Sequence, residues 1–150
     1  MRRRRKSRIL AVCMLYSMEI QHDHSVMIAR TILQIFNNRF PQIVEDFALH
    51  LVHGVLAHTK PLDQLIQQQS YHWKFERIAL LDRQIMRVAL YELLYEKKTP
   101  PAVCINEAVD IAKIYSTSES GHFINGILDN IRKSSNPISD TPGDSTETEI

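Results

Sequence analysis

Apolar residues recur at intervals of three and four along most of this chain, the period of helices that each turn one face to a core. In the first segment Ile9, Val12, Cys13, Tyr16 and Ile20 share a face, with Leu15 and Met18 broadening it. Asp23 or Ser25 can cap a second segment, in which Val26, Ala29, Ile32, Leu33 and Phe36 form the stripe and Asn37-Asn38 ends it. Pro41 suits the first turn of a third, where its missing N–H would have been an orphan anyway. Val44, Phe47, Ala48, Leu51, Val55 and Ala57 then hold helical spacing up to Pro61. Leu62, Leu65 and Ile66 either continue that helix past a kink or start a short one.

After the polar run Gln67 to Ser70, the aromatics Tyr71, Trp73 and Phe75 cluster in a connection, where they either pack two halves together or present a surface to a partner. Asp82 heads the next helix, whose Leu81, Ile85, Val88, Ala89 and Leu93 face inward with Tyr91 and Tyr95 nearby. Thr99-Pro100-Pro101 stops it, because neither proline donates and each pushes the preceding residue out of the α region. Val103, Ile105, Ala108, Val109, Ala112 and Tyr115 mark a sixth helix. Phe123, Ile124, Ile127, Leu128 and Ile131 mark a seventh. With only four glycines in 150 residues, the fold class is all-α: about seven helices in a single domain over residues 9–133. A chain of this size buries roughly two-thirds of its unfolded surface, enough for a real core. Residues 134–150, SSNPISDTPGDSTETEI, have no periodicity and are expected to form a disordered acidic tail.

Charge changes the picture at the ends. The formal net charge is only +1, yet residues 1–8 carry six cationic side chains and residues 134–150 carry four carboxylates with no Lys or Arg. Cations at a helix start oppose the macrodipole, so a reward from outside the fold is expected for this basic arm. A phosphate-bearing partner fits, since guanidinium forks bind phosphate oxygens in pairs. A basic stretch ahead of ILAVCMLYSM also imitates a secretory signal. No small-x-small cleavage site follows, and the ten-residue apolar run is too short for a bilayer, which needs about 20. A cytoplasmic protein is therefore expected, with Cys13 and Cys104 as reduced, buried thiols.

Catalytic constellations are absent from the pattern. His50, His53 and His58 invite a zinc reading, but no HExxH or fourth ligand accompanies them and a polar helix face accounts for them better. The glycines form neither a dinucleotide fingerprint nor a phosphate loop. No nucleophile elbow is present, and Glu76, Asp82, Glu92 and Glu107 read as caps or solvated charges. Neither an enzyme nor a cofactor is expected.

Four ordered motifs narrow this further. The chain opens Arg-Arg-Arg-Lys-Ser-Arg-x-x-Ala-Val-x-x-Leu-Tyr-Ser; from Asp82 it reads Asp-Arg-x-Ile-Met-Arg-Val-Ala-Leu-Tyr-Glu-Leu. Pro-Pro-Ala-Val-Cys-Ile-Asn-Glu-Ala-Val-Asp-Ile-Ala-Lys and Ser-Gly-His-Phe-Ile-Asn-Gly-Ile-Leu-Asp follow. Together they resemble the bacterial NusB family over about residues 2–132. The resemblance implies two small packed helical bundles and a non-enzymatic role in transcription antitermination. It also implies pairing with NusE, a small-subunit ribosomal protein, and binding to boxA RNA of nascent ribosomal transcripts within an antitermination complex with RNA polymerase. Arg4, Arg5, Lys6 and Arg8 would then contact phosphates, Tyr16, Tyr115 and His122 would lie near the RNA, and Phe123 would stack on a base. Glu76 and Asp82 would belong to the NusE surface. His122 stands where the family commonly has lysine. Read without the resemblance, Tyr16 and Phe123 suit a core equally well, and Asp82 suits an N-cap. The same helical module occurs at the front of ribosomal RNA cytosine methyltransferases, and a protein-only adaptor is the third reading; neither a cofactor loop nor a membrane segment supports them.

Overall fold

Seven α-helices form where the apolar periodicity places them in a computed structural model, which describes residues 2–37, 39–70 and 75–149, with side chains up to residue 134. They are α1 (Arg3–Gln21), α2 (Val26–Ile35), α3 (Gln42–Ala57), α4 (Thr59–Gln69), α5 (Leu80–Tyr91), α6 (Pro101–Tyr115) and α7 (Ser118–Glu149). A 3-10 turn at Phe75–Arg77 leads into α5, and α5 runs on into a π-helical segment, Glu92–Glu96. No strand occurs among the described residues. The expectations for Asn38, Tyr71 and Trp73 lie outside the described residues. Helix α7 runs on through residues 134–149, where the loss of the apolar period predicts a disordered tail.

Local chemistry sets most boundaries. Pro41 is the N-cap of α3 and Pro101 the first residue of α6, each where a missing N–H costs nothing. Asn37 takes a left-handed φ of 55° after α2, a conformation its short amide side chain tolerates. The Ser120 N–H donates to Thr117 Oγ1 at 2.9 Å, capping α7. The long third periodic stretch is two helices: the chain breaks at His58 and Pro61 falls in the first turn of α4.

Helices α1–α3 and α4–α7 make two groups, α4 packing on α5 and α7, and the two share one continuous core. Its largest fully buried side chains include Leu10, Met14 and Met18 of α1, Leu51 of α3, Leu90 of α5 and Leu128 of α7. A buried ionic joint fastens the groups. Arg87 of α5 donates to Asp63 of α4 at 2.7 and 2.8 Å and to Glu19 of α1 at 2.9 Å, while Gln84 donates to Glu19 at 3.1 Å. Burial alone would lower the Arg87 pKa, but its hydrogen bonds to Asp63 and Glu19 outweigh that and hold it above the usual arginine value. At Gly54 a side chain is not admissible, because a Cβ there would run into the Tyr91 ring.

The first helix departs from the expected face. Leu10, Ala11, Met14, Leu15 and Met18 are buried, whereas Tyr16 and Ile20 are 39% and 55% exposed and Ile9 and Cys13 are only half-buried. Val12 joins the buried set at the edge. Helix α1 is apolar around most of its circumference, so periodicity identified a true stripe but not the one that meets the core. Cys13 accordingly lies on an open groove, while Cys104 is buried, its thiol pushed up to about 12 by desolvation.

Candidate nucleic-acid interface

The basic residues of the N-terminus are the opening turns of α1, and the fold divides them. Arg2, Arg3 and Arg4 are exposed and Lys6 is half-buried, but Arg8 is 5% exposed. Arg8 donates to both oxygens of Glu92, Nε at 2.6 Å and Nη2 at 3.0 Å, and Nη1 lies 3.4 Å from Glu107. Thr99 completes the site by donating to Glu92 at 3.2 Å. Burial pulls the Arg8 pKa down, and the Glu92 contacts more than restore it. Arg5 donates to Glu107 at 3.1 and 2.8 Å and to Asp110 at 2.7 Å. The Arg5 hydrogen bond in turn holds the Glu107 carboxyl below its ordinary range. The outside reward expected for every cation of the arm is therefore unnecessary for Arg5 and Arg8. Their partners are carboxylates 84 to 105 residues away in sequence, where no local pattern reveals them.

Two hollows follow one another along α6, which at 1.5 Å per residue is about 22 Å long, and a third lies past its C-terminal end. The first, of about 440 Å³, lies between Arg2 and Arg5 on one side and Asn106, Glu107 and Asp110 on the other. The second, of about 490 Å³, is almost wholly apolar: α1 contributes Ile9, Cys13, Tyr16 and Ile20, and Ile32, Leu81, Ile111 and Tyr115 close it. Tyr16 and Tyr115 are thus brought together, and both are largely open to solvent. The third, of about 490 Å³, joins the head of α5 to the head of α7 through Arg77, Asp82, Thr117, Ser120 and Phe123.

In the third hollow Asp82 is 5% exposed. Its Oδ2 accepts from Ser120 Oγ at 2.8 Å, while its buried Oδ1 has no hydrogen-bond partner among the described residues. A buried carboxylate with one open oxygen calls for a hydrogen-bond donor, because leaving it unpaired is costly. Asp82 does not cap α5; the N-cap is Ala79 with no side-chain bond. Phe123 is half-buried beside it and His122 is exposed at the rim of the same helix. Glu76 is exposed in the 3-10 turn and does not line this hollow. Sequence reasoning passed over Arg77, a cation on the lip of the Phe123 hollow, and Asp110, the second anchor of Arg5. Arg77 follows Glu76 in a non-periodic connection, and only that position could have drawn attention to it.

These features define a small all-helical protein of two packed helix groups, with a cluster of exposed cations at the start of a surface track. The NusB family model matches residues 5–133. A transcription antitermination protein NusB of Desulforapulum autotrophicum is 39% identical over 129 residues, covering 86% of this chain and 90% of that one. Among solved structures, T. maritima NusB superposes with a TM-score of 0.78 at 35% identity, covering 87% of this chain and 90% of that one. A crystal structure of the antitermination factors NusB and NusE in complex with dsRNA superposes with a TM-score of 0.80 at 25% identity, covering 89% and 98%. The chain belongs to the NusB family.

Proposed function

We propose that this chain is a non-enzymatic transcription antitermination factor of the cytoplasm that binds boxA RNA of nascent ribosomal transcripts together with NusE, as part of an antitermination complex with RNA polymerase. One observation carries the reading: a track that follows α6 and passes its C-terminal end begins at exposed cations, crosses an apolar hollow and ends at an aromatic ring. Phosphates meet Arg2, Arg3, Arg4 and Lys6 at the first end. At the other, Phe123 offers a base a stacking surface worth about 1–3 kcal/mol, with the Asp82 carboxylate held behind it by Ser120. Arg77 and His122 flank that base. Arg5 serves as a shared cation, held by Glu107 and Asp110 and open enough to reach a phosphate, while Arg8 acts through the fold.

The apolar hollow suits NusE better than a nucleotide. Tyr16, Ile20 and Tyr115 expose ring and aliphatic surface there with few polar groups to match a base edge or a ribose. Placing NusE over Tyr16 and Leu81 also brings it against the head of α5, next to Asp82, with Glu76 at the rim. Titration of labelled boxA RNA with and without NusE across a salt series tests this. NusE tightens binding and affinity falls steeply with salt; a flat salt dependence, or no gain from NusE, overturns the reading.

A further inference from the structure

On the side of α1 facing away from α6, aromatic rings form a second track that the proposed function does not use. Arg4 and Arg5 are adjacent on α1 and so project about 100° apart, Arg5 toward α6 and Arg4 toward α3. The Arg4 guanidinium lies 3.7 Å from the Phe47 ring centroid. From there rings continue in steps: Phe47 stacks on His50 at 5.9 Å, His50 meets Tyr91 at 5.9 Å edge-on, Tyr91 stacks on Tyr95 at 6.1 Å, and His58 lies over Tyr95 at 3.9 Å. Tyr91 is buried and anchors the row, while the His50 side chain is 47% exposed and Tyr95 41%. The far end is cationic, with exposed Lys97 and Lys98 directly after the π-helical segment and exposed Lys60 after His58. Glu96 is turned inward with its side chain 8% exposed and Oε2 3.3 Å from His50, while the exposed Asp46 lies one turn before His50 on α3. The buried Oε1 of Glu96 has no hydrogen-bond partner among the described residues.

We infer that this face of α3 and the π-helical segment is a second RNA-binding surface, on which the single-stranded flank of a bound RNA stacks against His50 and Tyr95 after rounding Arg4. A cation at each end of a row of rings in which His50 and Tyr95 are exposed suits single-stranded nucleic acid, phosphates tracking the charge and bases stacking without regard to sequence. A π-helical segment supports the assignment, since such segments gather at functional sites; here it carries the α5 backbone past Glu92 to present Tyr95 beside His58.

The inference rests on the RNA reading above, and the experiment separates the two. With NusE present, the affinity of a labelled boxA RNA is compared with that of the same RNA carrying ten added uridines at its 5′ or its 3′ end. One extension tightens binding about tenfold, within what stacking one or two bases supplies. The gain disappears in His50→Ala/Tyr95→Ala and persists in His50→Phe/Tyr95→Phe, while both variants bind the short RNA as the native chain does, which also shows them folded. Tyr95→Ala alone replaces the double variant should that one fail to fold, and it loses part of the gain. No binding of the short RNA by the native chain overturns the RNA reading and this inference with it. A short RNA that binds, with no gain from either extension, overturns the inference alone. A gain that survives the alanine variants, or that is lost equally with phenylalanine, overturns stacking on these rings.

Discussion

The inner and outer faces of α1 carry the same residue types to opposite ends. Inward, Arg8 is sealed against Glu92 and Leu15 is 3% exposed; outward, Arg4 lies in solvent over Phe47 and Tyr16 is 39% exposed. An arginine buried with a bidentate carboxylate contributes to the fold mainly through what its loss would leave behind, an uncompensated buried charge. An exposed one contributes little to stability and remains available to a ligand. Side-chain type therefore does not assign a role within this helix; position along and around it does, since Arg4 and Arg8 lie one turn apart on nearly the same face and only Arg8 reaches Glu92.

The sharpest test is Arg8→Ala. It strands Glu92, 1% exposed, and is expected to cost about 3–5 kcal/mol in urea unfolding monitored by circular dichroism. A stable variant with weakened RNA binding would instead move Arg8 to the outer set. Leu15→Ala and Tyr16→Ala separate the two apolar stripes. The first is expected to cost about 2–5 kcal/mol because it empties packed volume, and the second to leave stability within about 0.5 kcal/mol while weakening NusE binding. Comparable melting shifts for both would mean that the outer stripe is packed in solution.

How much of this was legible in sequence follows from the same geometry. Periodicity found inward residues in α2, α3, α6 and α7, Ala29, Val44, Leu51, Ala108 and Ile127 among them, but Val26 and Phe36 of the α2 stripe and Val103 and Tyr115 of the α6 stripe are exposed, and Ile28 is buried though the α2 stripe omitted it. Helix α1 has two stripes, and the spacing of Ile9, Val12, Cys13, Tyr16 and Ile20 is as good as that of the set actually buried. The stripe taken for core is the wall of the apolar hollow. The arm was visible as a charge run, yet its division was not, because Glu92, Glu107 and Asp110 come from α6 and the end of α5. Asp82 and Phe123 were singled out separately by motif; that Ser120 ties them into one hollow emerges only from the packing of α7 against α5. The ring row from Phe47 to Tyr95 was equally hidden, since it depends on the π-helical segment and on Gly54 admitting the Tyr91 ring.

Acid should weaken the inner contacts before it affects the outer cations. The Arg5 hydrogen bond, opposed by burial, keeps Glu107 below its ordinary value. At Glu19 burial pushes upward, but the Arg87 and Gln84 hydrogen bonds prevail and the net shift is also downward. A carboxyl depressed in the fold binds protons more readily when unfolded. Its contribution is therefore complete above the ordinary glutamate value of 4.5 and is lost as pH falls through the lower folded value. The melting temperature is expected to be level near neutrality and to fall below about pH 4.5, and Glu107→Gln should flatten that fall. An unchanged acid limb in Glu107→Gln would show that the Arg5 clamp is not maintained in solution.

A small stability effect is expected where the loss of RNA affinity does not depend on sequence. Arg4→Ala/Lys6→Ala removes one cation–π contact, made by an exposed guanidinium on the half-buried Phe47 ring, and no carboxylate partner among the described residues, so the cost should stay near 1 kcal/mol or less. Each lost phosphate contact on single-stranded RNA lowers the steepness of the affinity against salt by about 0.7, so the pair should flatten that slope by about 1.4. Affinity should fall for unrelated single strands as well as for boxA RNA, because phosphate contact carries no sequence information. Phe123→Ala provides the contrast: it removes a stacking ring but no charge, and is expected to reduce affinity while leaving the salt slope unchanged. An equal change of slope in Phe123→Ala would show that the cations and the ring do not act on separate parts of the RNA, and an unchanged slope in Arg4→Ala/Lys6→Ala would remove the outer face of α1 from the interface.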